Sequence, residues 1–418
     1  MKTSITRREA IYLGVAGAIA SAAGNAGTGV ATAAEPSIAP TAAIDPKKCR
    51  PFLTPARDFD YVGRGNPNPS TLKGEALVKA GLTAETWRLE IAAEEGAKID
   101  KSFQLSDNTA LDMPALLKLG EKHSVRFLKA MQCNNIALPL GQGLWEGVPL
   151  RNVLDLCGVL TEVRRIYYYG FHNDDPKQMF RSSLAMSQVF DTPPGQLPPF
   201  VAYRLNGEAI PLERGGPVRM VVPWAHGFKS IKWLRNIVVT NSYQANDTYA
   251  LAKNDPESYL KTAAYFDNTA NATFAPNAPV EIHGTAMVGW PGLDHIEYWL
   301  RPEAGAKKKD LPDNDPAWAD AVWKPAAIEP PPADWGGGLP AGVLPKDVWG
   351  FDTNGKPKQW PMRFSIAHWS ASLTDLKPGQ YEMRVRTVDE NGYAQPQPRP
   401  SQRSGKNRIQ CKVIVVTS

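Results

Sequence analysis

Met131-Gln132-Cys133-Asn134-Asn135, with Trp145-Glu146-Gly147-Val148-Pro149-Leu150-Arg151-Asn152-Val153-Leu154 ten residues on, is the stretch on which the fold turns. Residues 124–131 read as a strand, so Cys133 falls where a strand opens into a polar loop. A thiolate there is placed as a soft metal ligand or a nucleophile. Taken alone, a cysteine so placed is more often an inert buried thiol. Leu150-x-x-Val153-Leu154-x-x-Cys157 has helical spacing, which makes Cys157 a buried thiol.

Working outward, residues 86–91 alternate as a strand and residues 113–119 read as a short helix. Further strands are expected at 165–171, 218–222 and 237–240. From about 276 the pattern changes to short alternating strands at 280–286, 295–300, 381–388 and 409–416, the signature of a β-sandwich. Residues 301–361 between them are rich in proline and hold Trp318, Trp323, Trp335, Trp349 and Trp360, a long insertion whose tryptophans pack it onto the sandwich or offer a partner surface. The fold class is α+β.

Composition narrows the function. Of the 418 residues 43% are apolar and 21% charged, which excludes a disordered or fibrous chain, and 37 prolines with 34 glycines favour strands and ordered loops over long helices. The formal charge is +5, to which Lys2, Arg7 and Arg8 against Glu9 contribute +2, and no basic stripe marks a nucleic-acid partner. Lys307-Lys308-Lys309 is read as a solvated loop. The four cysteines, at 49, 133, 157 and 411, fit no zinc spacing, and without a C-x-x-C-H motif no c-type haem is attached to this chain. Six scattered histidines, no G-x-S-x-G and no strand-borne G-x-G-x-x-G leave Cys133 as the candidate centre.

Residues 1–34 read as a targeting segment, with Arg7-Arg8 after Ser4-Ile5-Thr6, an apolar stretch diluted by Gly14 and Gly17, and Ala31-Thr32-Ala33 before Glu35. Paired Arg7 and Arg8 read as a twin-arginine export signal, of the type used by proteins folded around a cofactor before export, with an ordinary secretory signal as the alternative. The expected location is the periplasm. No other stretch reaches the roughly 18 apolar residues that span a bilayer.

The segments around Cys133, with Gly216-Pro217-Val218-Arg219-Met220-Val221-Val222-Pro223, Gly227 and Ser230-Ile231-Lys232-Trp233-Leu234-Arg235, resemble the sulfite oxidase family of molybdopterin-dependent oxidoreductases. The resemblance covers about residues 55–417 and thins between 301 and 361. It implies a molybdopterin-binding domain over 55–275 and an immunoglobulin-like β-sandwich dimerisation domain over 276–418. It implies a molybdenum–molybdopterin cofactor with Cys133 as the protein ligand to the metal, oxygen-atom transfer at a sulfur compound, a separate cytochrome c as electron acceptor, and a homodimer. Arg219, Ser230 and Lys232 fall at cofactor-binding positions, where cations suit the terminal phosphate of the pterin. Arg64 and Asn66, in Tyr61-Val62-Gly63-Arg64-Gly65-Asn66-Pro67, look like a variant of the family's Arg-Asn-His segment with asparagine in place of histidine. Asp174, with Asp175 as rival, matches an acidic position, and Tyr265, with Tyr259 as rival, the tyrosine that hydrogen-bonds near the metal.

Two departures bear on substrate. Sulfite-oxidising relatives follow the ligand cysteine with Ala-Gly-Asn-Arg, whereas this chain has Asn134-Asn135-Ile136-Ala137-Leu138. A histidine position is Arg214, so Arg64 or Arg214 is left to offer positive charge to an anionic substrate. A sulfane dehydrogenase, a sulfoxide reductase or a non-catalytic binding protein on the same scaffold are the alternatives.

Overall fold

The computed structural model describes residues 50–418 except 64–67, 134–137, 172–179, 194, 249–254, 258, 268–271, 277, 303–310, 312–314, 397–404 and 406. Three main sheets organise these residues. The first runs Leu111–Asp112, Arg88–Glu94, Leu234–Thr240, Arg165–Gly170, Phe180–Ala185. It is mixed, since Arg88–Glu94 pairs parallel with Leu234–Thr240 while the other pairs are antiparallel. Leu89 and Ile91 alternate inward from Arg88 and Glu90, which is why this segment lies as a half-buried strand.

The second sheet is antiparallel and carries the site: Glu208–Ala209, Phe200–Leu205, Gly141–Pro149 and Val125–Met131, with Arg219–Val221 also on Phe200–Leu205. Gly141–Pro149 is buried along its whole length and does not alternate, so the sequence reading did not include it. Its glycines permit close approach. A Cβ on Gly147 would lie 2.2 Å from the carbonyl oxygen of Val201 on the paired strand. Helix Met113–His123 starts where the Asp112 carboxylate accepts the Ala115 N–H at 2.9 Å, with Pro114 in the first turn. It runs beyond the expected residue 119 to His123, and Gly120 within it sits against the Tyr203 hydroxyl, where a Cβ would come within 2.6 Å. A single hydrophobic cluster, including Trp87, Phe127, Val148, Ile166 and Ile237, joins the first two sheets and also takes in Cys157.

The third sheet is an eight-stranded path made of two four-stranded halves. Ala263–Phe266, Val280–Met287, Ile366–Leu373 and Lys324–Ile328 follow one another, then His295–Pro302, Gly379–Val388, Gln410–Val416 and Ala272–Phe274. Ile282, Trp369 and Ala371 from one half share a buried cluster with Ile296, Met383 and Ile414 from the other. Lys324–Ile328 lies inside the supposed loop insertion and is the hinge strand: residues 324–326 pair with one half, and Ala327 and Ile328 with the other. The insertion's tryptophans point inward. Trp318 and Trp323 stack at 6.4 Å, both meet Trp299, Trp335 and Trp360 meet Phe52, and Trp349 meets Phe127 edge-on. Lys307-Lys308-Lys309 and Cys49 lie outside the described residues. No helix among the described residues is long and apolar enough to cross a membrane.

Candidate cofactor cleft

A cleft of about 740 Å³, its open part included, lies between the end of strand Val125–Met131 and the segment 214–233. Cys133, Arg214, Arg219, Ser230 and Lys232 line it, with Phe59, Trp145 and Phe180 as apolar walls. Four positions named from the sequence, Cys133, Arg219, Ser230 and Lys232, therefore meet in one space.

Cys133 is buried and held by its neighbour. The Gln132 carbonyl accepts the Gly227 N–H at 2.6 Å, and its side-chain amide donates to the Tyr265 hydroxyl at 2.9 Å. A Cβ on Gly227 would be 3.2 Å from that carbonyl, which accounts for glycine at this position. Tyr265 is buried on strand Ala263–Phe266 and acts on the site through Gln132, since it does not line the cleft. Burial raises its hydroxyl pKa, so it is a neutral hydrogen-bonding group. Its rival Tyr259 is partly exposed against Trp290. Arg64, Asn66, Asp174 and Asp175 lie outside the described residues.

Arg219 lies on the apolar strand Arg219–Val221. Its guanidinium donates to the carbonyls of Arg214 and Ser230 at 2.5 Å each and stands 5.0 Å from the Trp145 ring centroid. Its Nε is buried without a hydrogen-bond partner among the described residues, as is the indole N–H of Trp145. Burial, then the charge of Arg214, pulls its pKa down to about 9. The Ser230 hydroxyl accepts the Val222 N–H at 3.1 Å, fixing the turn that follows the strand. Lys232 donates to the carbonyls of Glu213 at 2.7 Å and Val62 at 3.2 Å, and its ammonium stands 4.8 Å from the Tyr61 ring centroid. Arg214 bonds the Asp60 carbonyl at 3.1 Å and lies over Phe59 and Tyr61. Both cations thus tie down the segment that leads to Arg64 and Asn66, and Arg214 shares the Tyr61 end of the cleft with Lys232.

This donor set fits a molybdenum–pterin group. A buried guanidinium without a carboxylate is costly, and an anionic ligand with a terminal phosphate supplies the missing charge. The unpartnered Arg219 Nε and Trp145 N–H are donors awaiting acceptors. The thiol offers the soft ligand.

The sequence reading missed Lys129, wholly buried four residues before Cys133, and Gln132, whose amide reaches Tyr265. A lysine inside the apolar run Phe127-Leu128-Lys129-Ala130-Met131 was the available signal for the first. Trp145 escaped because its strand does not alternate. Cys157 is buried with its pKa pushed up to about 11, and Cys411 lies half-buried with its pKa also raised to about 11 by burial.

Comparison with known proteins matches residues 76–248 to the oxidoreductase molybdopterin binding domain, a span that contains Cys133, Arg214, Arg219, Ser230 and Lys232. A nitrate reductase [NAD(P)H] of Betula pendula is 25% identical over 232 residues, 51% of this chain and 24% of the relative. The mitochondrial sulfite oxidase of Macaca fascicularis is 27% identical over 196 residues, 44% of this chain and 34% of the relative. The chain thus spans about a quarter to a third of the length of these relatives. In fold it is similar to the sulfane dehydrogenase SoxCD from Paracoccus pantotrophus, with a TM-score of 0.55, 17% identity and coverage of 84% of this chain and 86% of that one.

Proposed function

Since the chain belongs to the sulfite oxidase family of molybdenum oxidoreductases and takes a molybdopterin cofactor, we propose that it transfers an oxygen atom to or from a sulfur compound. The observation that carries this reading is the meeting of the Cys133 thiol with Arg219, Ser230 and Lys232 in one cleft. The bound molybdenum–pterin group supplies the two-electron chemistry. Cys133 would hold the metal, and Arg219 and Lys232 would offer positive charge to the anionic pterin and its phosphate. Gln132 and Gly227 fix the peptide on which the ligand sits, and Phe59, Trp145 and Phe180 shield the group from water.

The electrons pass to a separate cytochrome c, in keeping with the lack of a C-x-x-C-H motif. Residues 1–34 direct twin-arginine export to the periplasm. Residues 55–275 form the cofactor domain, and residues 276–418 form an immunoglobulin-like sandwich through which two copies pair. Protein from a molybdopterin-competent host tests the reaction: sulfite-dependent cytochrome c reduction is expected. Absence of stoichiometric molybdenum, together with an unchanged spectrum in Cys133→Ser, overturns it.

A second reading reverses the direction, to reduction of a neutral sulfoxide. It is favoured by the run Asn134-Asn135-Ile136-Ala137-Leu138, which has no cation after the thiol. Arg214, leaning on Tyr61 beside Lys232, serves the pterin end. Dye-driven sulfoxide turnover without sulfite oxidation selects this reading.

A further inference from the structure

Strand Val125–Met131 carries a lysine that the cleft does not use. The Lys129 side chain is wholly buried, and its ammonium donates to the carbonyl oxygens of Pro223 at 2.7 Å and Ala225 at 3.1 Å. It forms no ion pair among the described residues; the charged group that faces it is another cation, Arg219. Two residues beyond Ala225, the Gly227 N–H holds the Gln132 carbonyl. Lys129, Gln132, Gly227 and Ala225 therefore close a ring of covalent chain and hydrogen bonds around the peptide before Cys133. His226 lies within that ring, wholly buried.

An apolar side chain would pack this strand without the cost of burying an ammonium. Two carbonyl dipoles relieve only part of that cost. Burial, then the charge of Arg219, pulls the Lys129 pKa down to about 7, so nearby negative charge is what would keep it charged, and four residues of strand place the Cα atoms of Lys129 and Cys133 about 13 Å apart. At that range, in a poorly screened interior, one charge changes an equilibrium at the other by roughly tenfold.

We propose that Lys129 is a positioning residue for Cys133, a buried ammonium that braces the ligand peptide and favours extra negative charge at the metal. The proposal rests on Cys133 being the molybdenum ligand. A cation there stabilises the reduced, more negative centre, so its removal moves the metal's midpoint potential downward. Lys129 neither lines the cleft nor bonds Tyr265.

The experiment compares molybdenum-loaded wild type with Lys129→Met, Lys129→Gln and Lys129→Arg by molybdenum content, melting temperature and a spectroscopically monitored redox titration. Lys129→Gln keeps a donor for the carbonyls and loses the charge. The expected result is a lower midpoint in both neutral variants, worth roughly a tenfold change in the reduction equilibrium, with recovery in Lys129→Arg. A folded neutral variant that no longer takes up molybdenum also supports the bracing role, because Lys129 does not line the cleft. A loaded neutral variant with the wild-type midpoint overturns the proposal. So does failure of both neutral variants to fold, since the lysine then serves the fold and not the ligand. Cys133→Ser is measured in parallel. If it keeps molybdenum and an unchanged spectrum, the ligand assignment fails, whatever the Lys129 variants do.

Discussion

Arginines stand on aromatic rings both on the third sheet and in the cleft, and only on the third sheet are they matched with carboxylates among the described residues. On the sandwich, Arg301, Arg384 and Arg386 lie over Trp299, Trp318 and Trp323. Arg301 and Arg384 share Glu382, and Arg386 pairs with Glu297 at 2.7 Å. In the cleft, Arg219 lies over Trp145 and Arg214 over Phe59 and Tyr61, yet neither forms an ion pair among the described residues. Carboxylates match the charge of this ladder, although Arg384 Nη2 and the Trp323 indole N–H have no hydrogen-bond partner among the described residues. The cleft arginines have no carboxylate partner among the described residues, and burial lowers the pKa of both.

The comparison breaks first at the thiol. Cys133→Ser is expected to lower turnover of the loaded enzyme by more than about a hundredfold, beyond the range seen for groups one step removed from a metal, and activity with molybdenum quantitation checks it. Arg219→Met should lower cofactor retention by about tenfold or more while leaving the cofactor-free protein equally or more stable, because it removes an unmatched buried cation. Calorimetry of that protein, beside its metal content after gel filtration, decides between this and a structural role. Arg384→Met should do the opposite: metal content stays, and stability falls by about 1 to 2 kcal/mol as Glu382 loses one of its two arginine partners. Chemical denaturation reads that loss.

A smaller effect sharpens the same contrast through pH. Burial, with Lys129 and Lys261 nearby, lowers the His226 pKa from 6.5 to about 3. The imidazole is neutral in both states above pH 6.5. As pH falls below that value the unfolded chain takes up a proton that the native state refuses, so stability drops down to about pH 3 with a slope of about 1.4 kcal/mol per unit. His226→Asn should flatten the acid limb of the stability curve in the cofactor-free protein by that slope. Cys411→Ser, on the sandwich, should shift stability by less than about 1 kcal/mol and leave molybdenum content unchanged.

Much of this was legible in the chain. Helix Met113–His123 and the strands Arg88–Glu94, Val125–Met131, Val280–Met287, His295–Pro302 and Gly379–Val388 follow alternation or helical spacing, and they were read within a few residues. Strand Gly141–Pro149 was not, because a strand buried on both faces has no alternation to show. Lys324–Ile328 was hidden in the proline-rich insertion, since its pairing with two different strands is a property of where those strands lie.

The same division holds at the site. Residue types and their order alone determined the α+β class, the thiol at a strand end and the cationic segment from Arg219 to Lys232, because each is written in contiguous residues. Only the tertiary structure decided that Cys133 and Arg219, 86 positions apart in the chain, line one cleft. It also decided that Tyr265 reaches the peptide before Cys133 through Gln132, and that Lys129 lies buried without a carboxylate partner among the described residues. Burial and partnership are set by which distant strands pack together, and a local pattern does not carry that information.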